Sequence, residues 1–265
     1  MYPILIHIYG PFTIYSFGVA QAIGVALYSY FTAQLVTQKK LLSSQQFFQM
    51  ATWTIATGFI GGKILALYQE NWSLADGFSW DLLQSGSSIL GIMITGIATI
   101  TIFLHLYKKP LFKTLDALAL YAPIAHIFGR IGCFCAGCCF GKTTDVAWGI
   151  TYTHQESFAP LHCALHPTQL YSSACYALMF IILLYTYKKN HPAGIIICLY
   201  IALSALERFS IDFLRADQNG FWYGLSSNQW LSIALMLTTL IFLFNIIKKH
   251  AYSNFKKIIN KITDY

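Results

Sequence analysis

Long apolar stretches separated by short polar segments dominate the chain. A hydrocarbon core about 30 Å thick takes roughly 20 mostly apolar residues of helix to cross, with every backbone group satisfied inside the helix. The pattern accordingly predicts seven spans. They run approximately over Pro11–Leu35, Phe47–Gln69, Ser87–Tyr107, Leu115–Gly132, Gln169–Tyr187, Gly194–Leu214 and Gln229–Ile247, the fourth being the shortest. The expected fold is an all-α polytopic membrane protein with a single transmembrane domain over residues 1–265 and an outward-facing loop region at 133–168, between helices four and five. The start of the chain lacks the succession of basic segment, short apolar run and small-residue cleavage site that marks a removable signal, so the first apolar segment is expected to stay.

The polar connections alternate in composition. Lys39 and Lys40 follow the first span, Lys108, Lys109 and Lys113 the third, Lys188 and Lys189 the fifth, and Lys248, Lys249, Lys256, Lys257 and Lys261 the seventh. The opposite set, at the N-terminus and around 70–86, 133–168 and 215–228, holds only Lys142 and Arg215. Because cytoplasmic loops carry the excess of Lys and Arg, this places the N-terminus outside and the C-terminus in the cytoplasm.

Composition agrees: 56% of residues are hydrophobic and 10% charged, well under half the charged share of an ordinary soluble domain, about 25%. The formal charge of +7 sits in short lysine clusters, not on one basic face, so no nucleic-acid partner is expected. A transporter is disfavoured too. Apart from Lys63, Asp116 and the arginines, the spans hold few ionisable groups to form a path, and no inverted repeat is visible. Asp116, beside cytoplasmic lysines, reads as a helix-start residue.

Fourteen lysines contrast with three arginines, and Arg130, Arg208 and Arg215 all fall near the outer ends of the fourth and sixth spans. Arg208, Asp212 and Arg215 stand at i, i+4 and i+7, so one helical face presents two guanidiniums with a carboxylate between them. A guanidinium binds phosphate oxygens through two parallel hydrogen bonds and stays charged, which suits this face to a phosphate. The plainer alternative is snorkelling to the interface or pairing with acids. Asp212 is expected to orient one or both arginines.

The outer loop adds two stretches. Residues 129–141, GRIGCFCAGCCFG, carry Arg130 into a glycine-rich turn, with Gly137 and Gly141, that brings backbone close to a ligand. Residues 166–171, HPTQLY, precede the fifth span and set His166, Gln169 and Tyr171 near the headgroup zone, where an aromatic with a polar tip is favoured in any case. Cys133, Cys135, Cys138 and Cys139 form a C-x-C-x-x-C-C cluster, with Cys163 later in the loop and Cys175 and Cys198 in spans. Small packing residues, a disulfide, and metal or redox chemistry all remain open for the cluster.

These three stretches resemble the prolipoprotein diacylglyceryl transferase family, whose pattern is GR-x-GN-x-x-x-GE-x-x-G, then HPSQLYE, then R-x-x-x-E-x-x-R on seven spans. GRIGCFCAGCCFG, HPTQLYS and RFSIDFLR match in order and spacing, with Asp212 in place of Glu, and GFIGGK before Tyr68 and NQWLS at the last span are weaker echoes. The resemblance implies transfer of the diacylglyceryl group from phosphatidylglycerol to the lipobox cysteine thiol of exported prolipoproteins in the bacterial cytoplasmic (inner) membrane. Glycerol 1-phosphate leaves, and neither cofactor nor metal is expected. Arg130 and Arg208 are then the catalytic candidates. Arg130 also joins Arg215, Asp212, His166, Gln169, Tyr171, Gly137 and Gly141 in holding substrate, and phosphatidylglycerol, prolipoproteins and membrane lipids are the partners implied.

The chain also departs from that pattern. Leu90 in SILGIM takes the place of a histidine in an HGG-like motif, Cys133 that of the asparagine, Cys138 that of the acid, Phe17 that of a tyrosine, and Ser172 that of the last Glu. His126, a turn before Arg130, is one candidate to replace the missing base. Two alternatives stand beside the transferase: an inactive phospholipid-binding paralogue, and a membrane thiol oxidoreductase using the cysteine cluster.

Overall fold

A computed structural model describes residues 2–9, 12–69, 87–189, 191–218, 220 and 222–263. The expected outer loop at 70–86 and the expected span start at Pro11 lie outside the described residues. Seven helices occur among those described: α1 Ser16–Gln38, α2 Ser44–Gln69, α3 Ile89–Leu106, α4 Leu111–Ala136, α5 Thr168–Lys188, α6 Ile195–Asp212 and α7 Ser227–Thr263. α1, α2, α4, α5 and the Ser227–Lys249 part of α7 are five helices long and apolar enough to cross a membrane. α3 is apolar but shorter, and α6 carries Glu207, Arg208 and Asp212 within its 18 residues.

Three expected boundaries change. The first helix opens at Ser16 because the residues before it pair as an antiparallel hairpin, β1 Ile4–Tyr9 with β2 Phe12–Tyr15. Their β-branched and aromatic residues favour strand, although their hydrophobicity alone also suits a helix. The Ser16 hydroxyl donates to the Tyr2 carbonyl and its N–H to Pro3 O at 2.9 Å, seating the hairpin on the helix start. The fourth helix is 26 residues long, not the shortest, and contains Arg130, Cys133 and Cys135 before it ends at Ala136. The last helix runs 37 residues, so the C-terminal lysines prolong a helix instead of forming a loop.

The chain divides into two compact units, Met1–Thr32 with Leu115–Tyr265, and Ala33–Thr114. In the smaller one, α2 and α3 approach closely on small residues. A Cβ at Gly61 would run into Thr95, and one at Gly62 would lie 2.6 Å from Ile92. Thr57 and Thr99 join hydroxyls across the pair at 2.7 Å. Such contacts drive helix association in lipid, where apolar burial gives little.

In the larger unit, α1 lies close on α4 at Gly24, where a Cβ would stand 2.7 Å from Phe128 Cβ, and at Gly132, against Phe17. Asp116 does not start its own helix. Buried in α4, it accepts the N–H groups of Gly194 at 2.6 Å and Ile197 at 2.9 Å, capping the exposed amides at the start of α6. A small sheet, β3 Ile150–Thr151 with β4 Ala164–Leu165, organises the loop between α4 and α5 around buried Tyr152, Ala159 and Leu165.

Candidate functional site

Gly137 ends α4 with φ +80°, and Cys139 also takes a positive φ of +58°. The N–H groups of Gly137 and Cys138 both return to Cys133 O, at 2.9 and 3.2 Å. This closure reverses the chain over the last helical turn, the task for which glycine is favoured at a helix end. A Cβ on Gly137 would collide with Ser157 Oγ and approach Ala159 N to 3.2 Å. The reversal brings the sulfurs of Cys133, Cys138 and Cys139 within 4.8 Å of one another. Cys135 is not in the group, because two residues of helix rotate it roughly 200° from Cys133. All seven cysteines are free thiols.

The turn is fixed by the HPTQLY stretch. Thr168 Oγ1 donates to Cys139 O at 2.8 Å, and buried Gln169 donates through Nε2 to Cys138 O at 2.7 Å. Gln169 Oε1 has no partner among the described residues. Gly141 N donates to His166 O at 3.1 Å and His166 N to Lys142 O at 3.0 Å, with a Cβ on Gly141 landing 2.6 Å from His166 Cβ. His166 Nδ1 lies 3.4 Å from the Tyr171 hydroxyl, which accepts the Trp148 indole N–H at 2.6 Å. His166, Gln169, Tyr171, Gly137 and Gly141 therefore meet, and most of their polar atoms hold the loop in shape.

The loop is also laced to the end of α6. Lys142 N donates to Leu214 O at 2.8 Å and Ala216 N to Phe140 O at 3.3 Å, around a bridge between Gly141 and Arg215. Asp212 is buried and receives Arg208 Nε at 3.2 Å, Gln218 Nε2 at 2.9 Å and Ser226 Oγ at 2.7 Å. Arg215 does not share this carboxylate. α6 ends at Asp212, so the i+7 position leaves the helical face, and Arg215 instead forks onto Asp217, with Nε to Oδ1 at 2.8 Å and Nη2 to Oδ2 at 2.5 Å. Asp217, Gln218 and Ser226 are invisible to a helical-spacing argument because they lie in the turn beyond it. Gln229 belongs with them, donating its N–H to Ser226 Oγ at 3.1 Å and Nε2 to Phe209 O at 3.3 Å.

The three arginines share one electrostatic neighbourhood. Arg208 feels the charges of Arg215 and Arg130, and the Cys139 thiol feels Arg215 and Arg130. Among the described residues no carboxylate lies within ion-pair distance of Arg130. Burial opposes the charge on Arg215, but hydrogen bonding to Asp217, with Cys139 contributing, outweighs it and holds the pKa above the ordinary arginine value. Hydrogen bonds from Cys133 and then Cys138 push the Cys139 thiol well below its ordinary pKa against its burial, assisted by the two arginines. Cys138 moves the opposite way, raised by its hydrogen bonds to Cys133 and Cys139 and by burial. Burial likewise lifts Tyr152 to about 12, while its hydroxyl donates to Phe134 O at 3.2 Å.

Next to the cysteines a groove of about 740 Å³ opens, lined by His7, Tyr15, Phe17, Cys138, Glu156 and Phe158 among others. The sequence offers no periodic signal for His7 or Glu156, which reach the groove only through the hairpin and the loop. His126 is held by its neighbours: Nε2 lies 2.7 Å from the Tyr200 hydroxyl and the ring stacks on Tyr176 at 4.6 Å. Glu207, beside Arg208 and also absent from the expected set, is buried and accepts the Tyr176 hydroxyl at 3.3 Å. Lys63 and Leu90 belong to the smaller unit.

Five helices of membrane length, with arginines near the ends of α4 and α6, define a multi-pass membrane protein. The prolipoprotein diacylglyceryl transferase family model matches residues 3–245, and this chain belongs to that family. A phosphatidylglycerol–prolipoprotein diacylglyceryl transferase of Clostridium tetani is 34% identical over 251 residues, covering 93% of this chain and 98% of the relative. One from Clostridium perfringens is 30% identical over 89% and 91% of the two chains, and one from Agrobacterium fabrum 26% over 89% and 87%.

Proposed function

We propose that this protein transfers the diacylglyceryl group of phosphatidylglycerol to the lipobox cysteine of prolipoproteins. It does so as a seven-span protein of the bacterial inner membrane, with its site toward the outer face. Arg130, Arg208 and Arg215 hold the lipid phosphate. As the glyceryl carbon–oxygen bond breaks, charge grows on the departing glycerol phosphate, and guanidiniums already fixed in place stabilise it without reorganising. The carrying observation is the grouping of three arginines in which Arg208 and Arg215 each have a carboxylate and Arg130 has none among the described residues. That leaves Arg130 as a guanidinium without a carboxylate partner among the described residues, suited to a phosphate diester. The groove beside it suits an apolar lipobox segment, with Cys138 on its wall.

The test measures transfer from labelled phosphatidylglycerol to a lipobox peptide by the native protein, Arg130→Ala and Arg208→Ala. Loss of each arginine is expected to reduce turnover by about 100- to 1,000-fold, the scale of removing one donor to a developing oxyanion. A native protein that binds the lipid and transfers nothing would overturn the reading in favour of a phospholipid-binding paralogue.

A further inference from the structure

Three thiols stand together where the family pattern has an asparagine, an acid and their neighbour, and the arginine chemistry uses none of them. Cys133, Cys138 and Cys139 gather their sulfurs within 4.8 Å. A tetrahedral zinc with Zn–S bonds of about 2.3 Å holds its sulfurs about 3.8 Å apart, so small side-chain rotations close the group on a metal. Among the described residues no fourth Cys, His, Asp or Glu joins them. Three protein ligands with an open fourth position are the mark of a reactive zinc site as opposed to a closed structural one.

The surroundings are built for such a site. The carbonyls of Cys138 and Cys139 are pinned by Gln169 and Thr168, which fixes the turn before any metal arrives. Arg215 pairs through its backbone with Gly141, two residues past Cys139, and the charges of Arg215 and Arg130 both reach the Cys139 sulfur. Zinc on three thiolates carries a net charge of −1, which these cations offset. Cys138 lines the groove, so the metal's open side has access to a bound peptide.

Resting on the transferase reading above, we propose that Cys133, Cys138 and Cys139 bind one zinc ion whose fourth position takes the lipobox cysteine of the substrate. Coordination converts the substrate thiol to a thiolate, its proton passing to water. The zinc-bound sulfur then forms a bond to the glyceryl carbon as the bond from that carbon to the phosphate oxygen breaks. The electron pair leaves on glycerol phosphate at the arginines, and the thioether product, a weak ligand, departs from zinc. Such a metal does the work of a base in a chain that carries Leu90 in place of the family histidine.

The test uses the full chain purified in detergent under reducing conditions, with Zn²⁺ alone and Co²⁺ as a spectroscopic stand-in. The native protein is expected to bind one Zn²⁺ against a chromophoric chelator. Cys133→Ser, Cys138→Ser and Cys139→Ser each weaken binding at least 100-fold, while Cys135→Ser and Cys163→Ser do not. A lipobox peptide shifts the sulfur-to-cobalt absorption band, and the same peptide with serine for cysteine leaves it alone. Absence of zinc binding, equal binding by Cys138→Ser, or no shift with the cysteine peptide overturns the inference. Full transfer activity in zinc-free native protein also overturns it and leaves the transferase reading standing. Conversely, one zinc held by three thiols together with the peptide-dependent shift, in a protein that transfers nothing, upholds the site and overturns the transferase reading.

Discussion

Replacing Asp212 by Asn removes one charge and almost no volume from the point where α6 meets the start of α7. The carboxylate takes three donors, Arg208 Nε at 3.2 Å, Gln218 Nε2 at 2.9 Å and Ser226 Oγ at 2.7 Å, and is itself buried. An amide offers one oxygen and presents an NH₂ where the other stood, so the bonds from Arg208 and Gln218 lose the carboxylate's charge and Ser226 must turn its hydroxyl to accept. Hydrogen bonds to a charged group are worth about 1.5–3 kcal/mol each. The Arg208 side chain is 30% exposed, so water screens part of its pairing and the lower end applies. Two such bonds weakened amount to about 3 kcal/mol. With the guanidinium no longer held, a displacement on the order of 1 Å from the phosphate lowers turnover roughly 100-fold. The assay is the rate of transfer from labelled phosphatidylglycerol to a lipobox peptide, with thermal unfolding measured on the same preparations. Asp212→Glu keeps the charge and restores the residue of the family pattern, so it is expected to stay within about tenfold of native, about 1.4 kcal/mol on the barrier. An Asp212→Asn protein that unfolds and turns over like the native one would refute the idea that this carboxylate positions Arg208.

Gly137→Ala places a methyl against Ser157 on a backbone at φ +80°, and the strain should destabilise the loop by about 1–3 kcal/mol, read as a lower unfolding temperature and lower zinc affinity. Gln169→Leu removes the 2.7 Å bond to the Cys138 carbonyl and should destabilise by about 1–3 kcal/mol while leaving a buried carbonyl without its donor; unfolding unchanged from native would contradict the anchoring role. His126→Gln breaks the stack on Tyr176 and the 2.7 Å contact with Tyr200, with a stability loss of about 1 kcal/mol and transfer activity within about tenfold of native. A drop of 100-fold or more in that variant, with the fold intact, would instead make His126 the base.

Hydrophobic runs of membrane length made the helices legible, and arginine scarcity singled out Arg130, Arg208 and Arg215 as candidates, since residues costly to place in lipid stand out against lysines that mark loops. The hairpin at Ile4–Tyr15 was not legible from hydrophobicity alone, because an apolar run that starts a span and one that pairs with its neighbour look alike; the Gly10–Pro11 pair between the two runs was the turn signal that could have found it. Helical spacing set Asp212 between the two arginines, to orient one or both, and Asp212 does hold Arg208. It does not hold Arg215, because the helix stops at Asp212 and the chain turns, bringing Asp217 within reach. The reach of Asp116 to the amides of Gly194 and Ile197, across 78 and 81 residues, leaves no trace in local pattern. The separation of Cys135 from the other three cysteines follows only once the end of α4 is known to lie at Ala136, beyond both Cys133 and Cys135.

The backbone lacing between the cysteine turn and the end of α6, through Lys142 to Leu214, Ala216 to Phe140 and Gly141 beside Arg215, has a consequence for inheritance and for engineering. Motifs far apart in sequence are seated on one another through main-chain atoms, which most side chains away from Gly137 and Gly141 leave intact, so substitutions such as cysteine for asparagine or aspartate for glutamate can accumulate without unseating the partner segment. Insertions and deletions have no such freedom, since shifting either segment by one residue breaks every bond of the seam. Chimeras that exchange residues 137–142 and 212–216 together between relatives should therefore fold and assemble, whereas those that change the length of one segment should not.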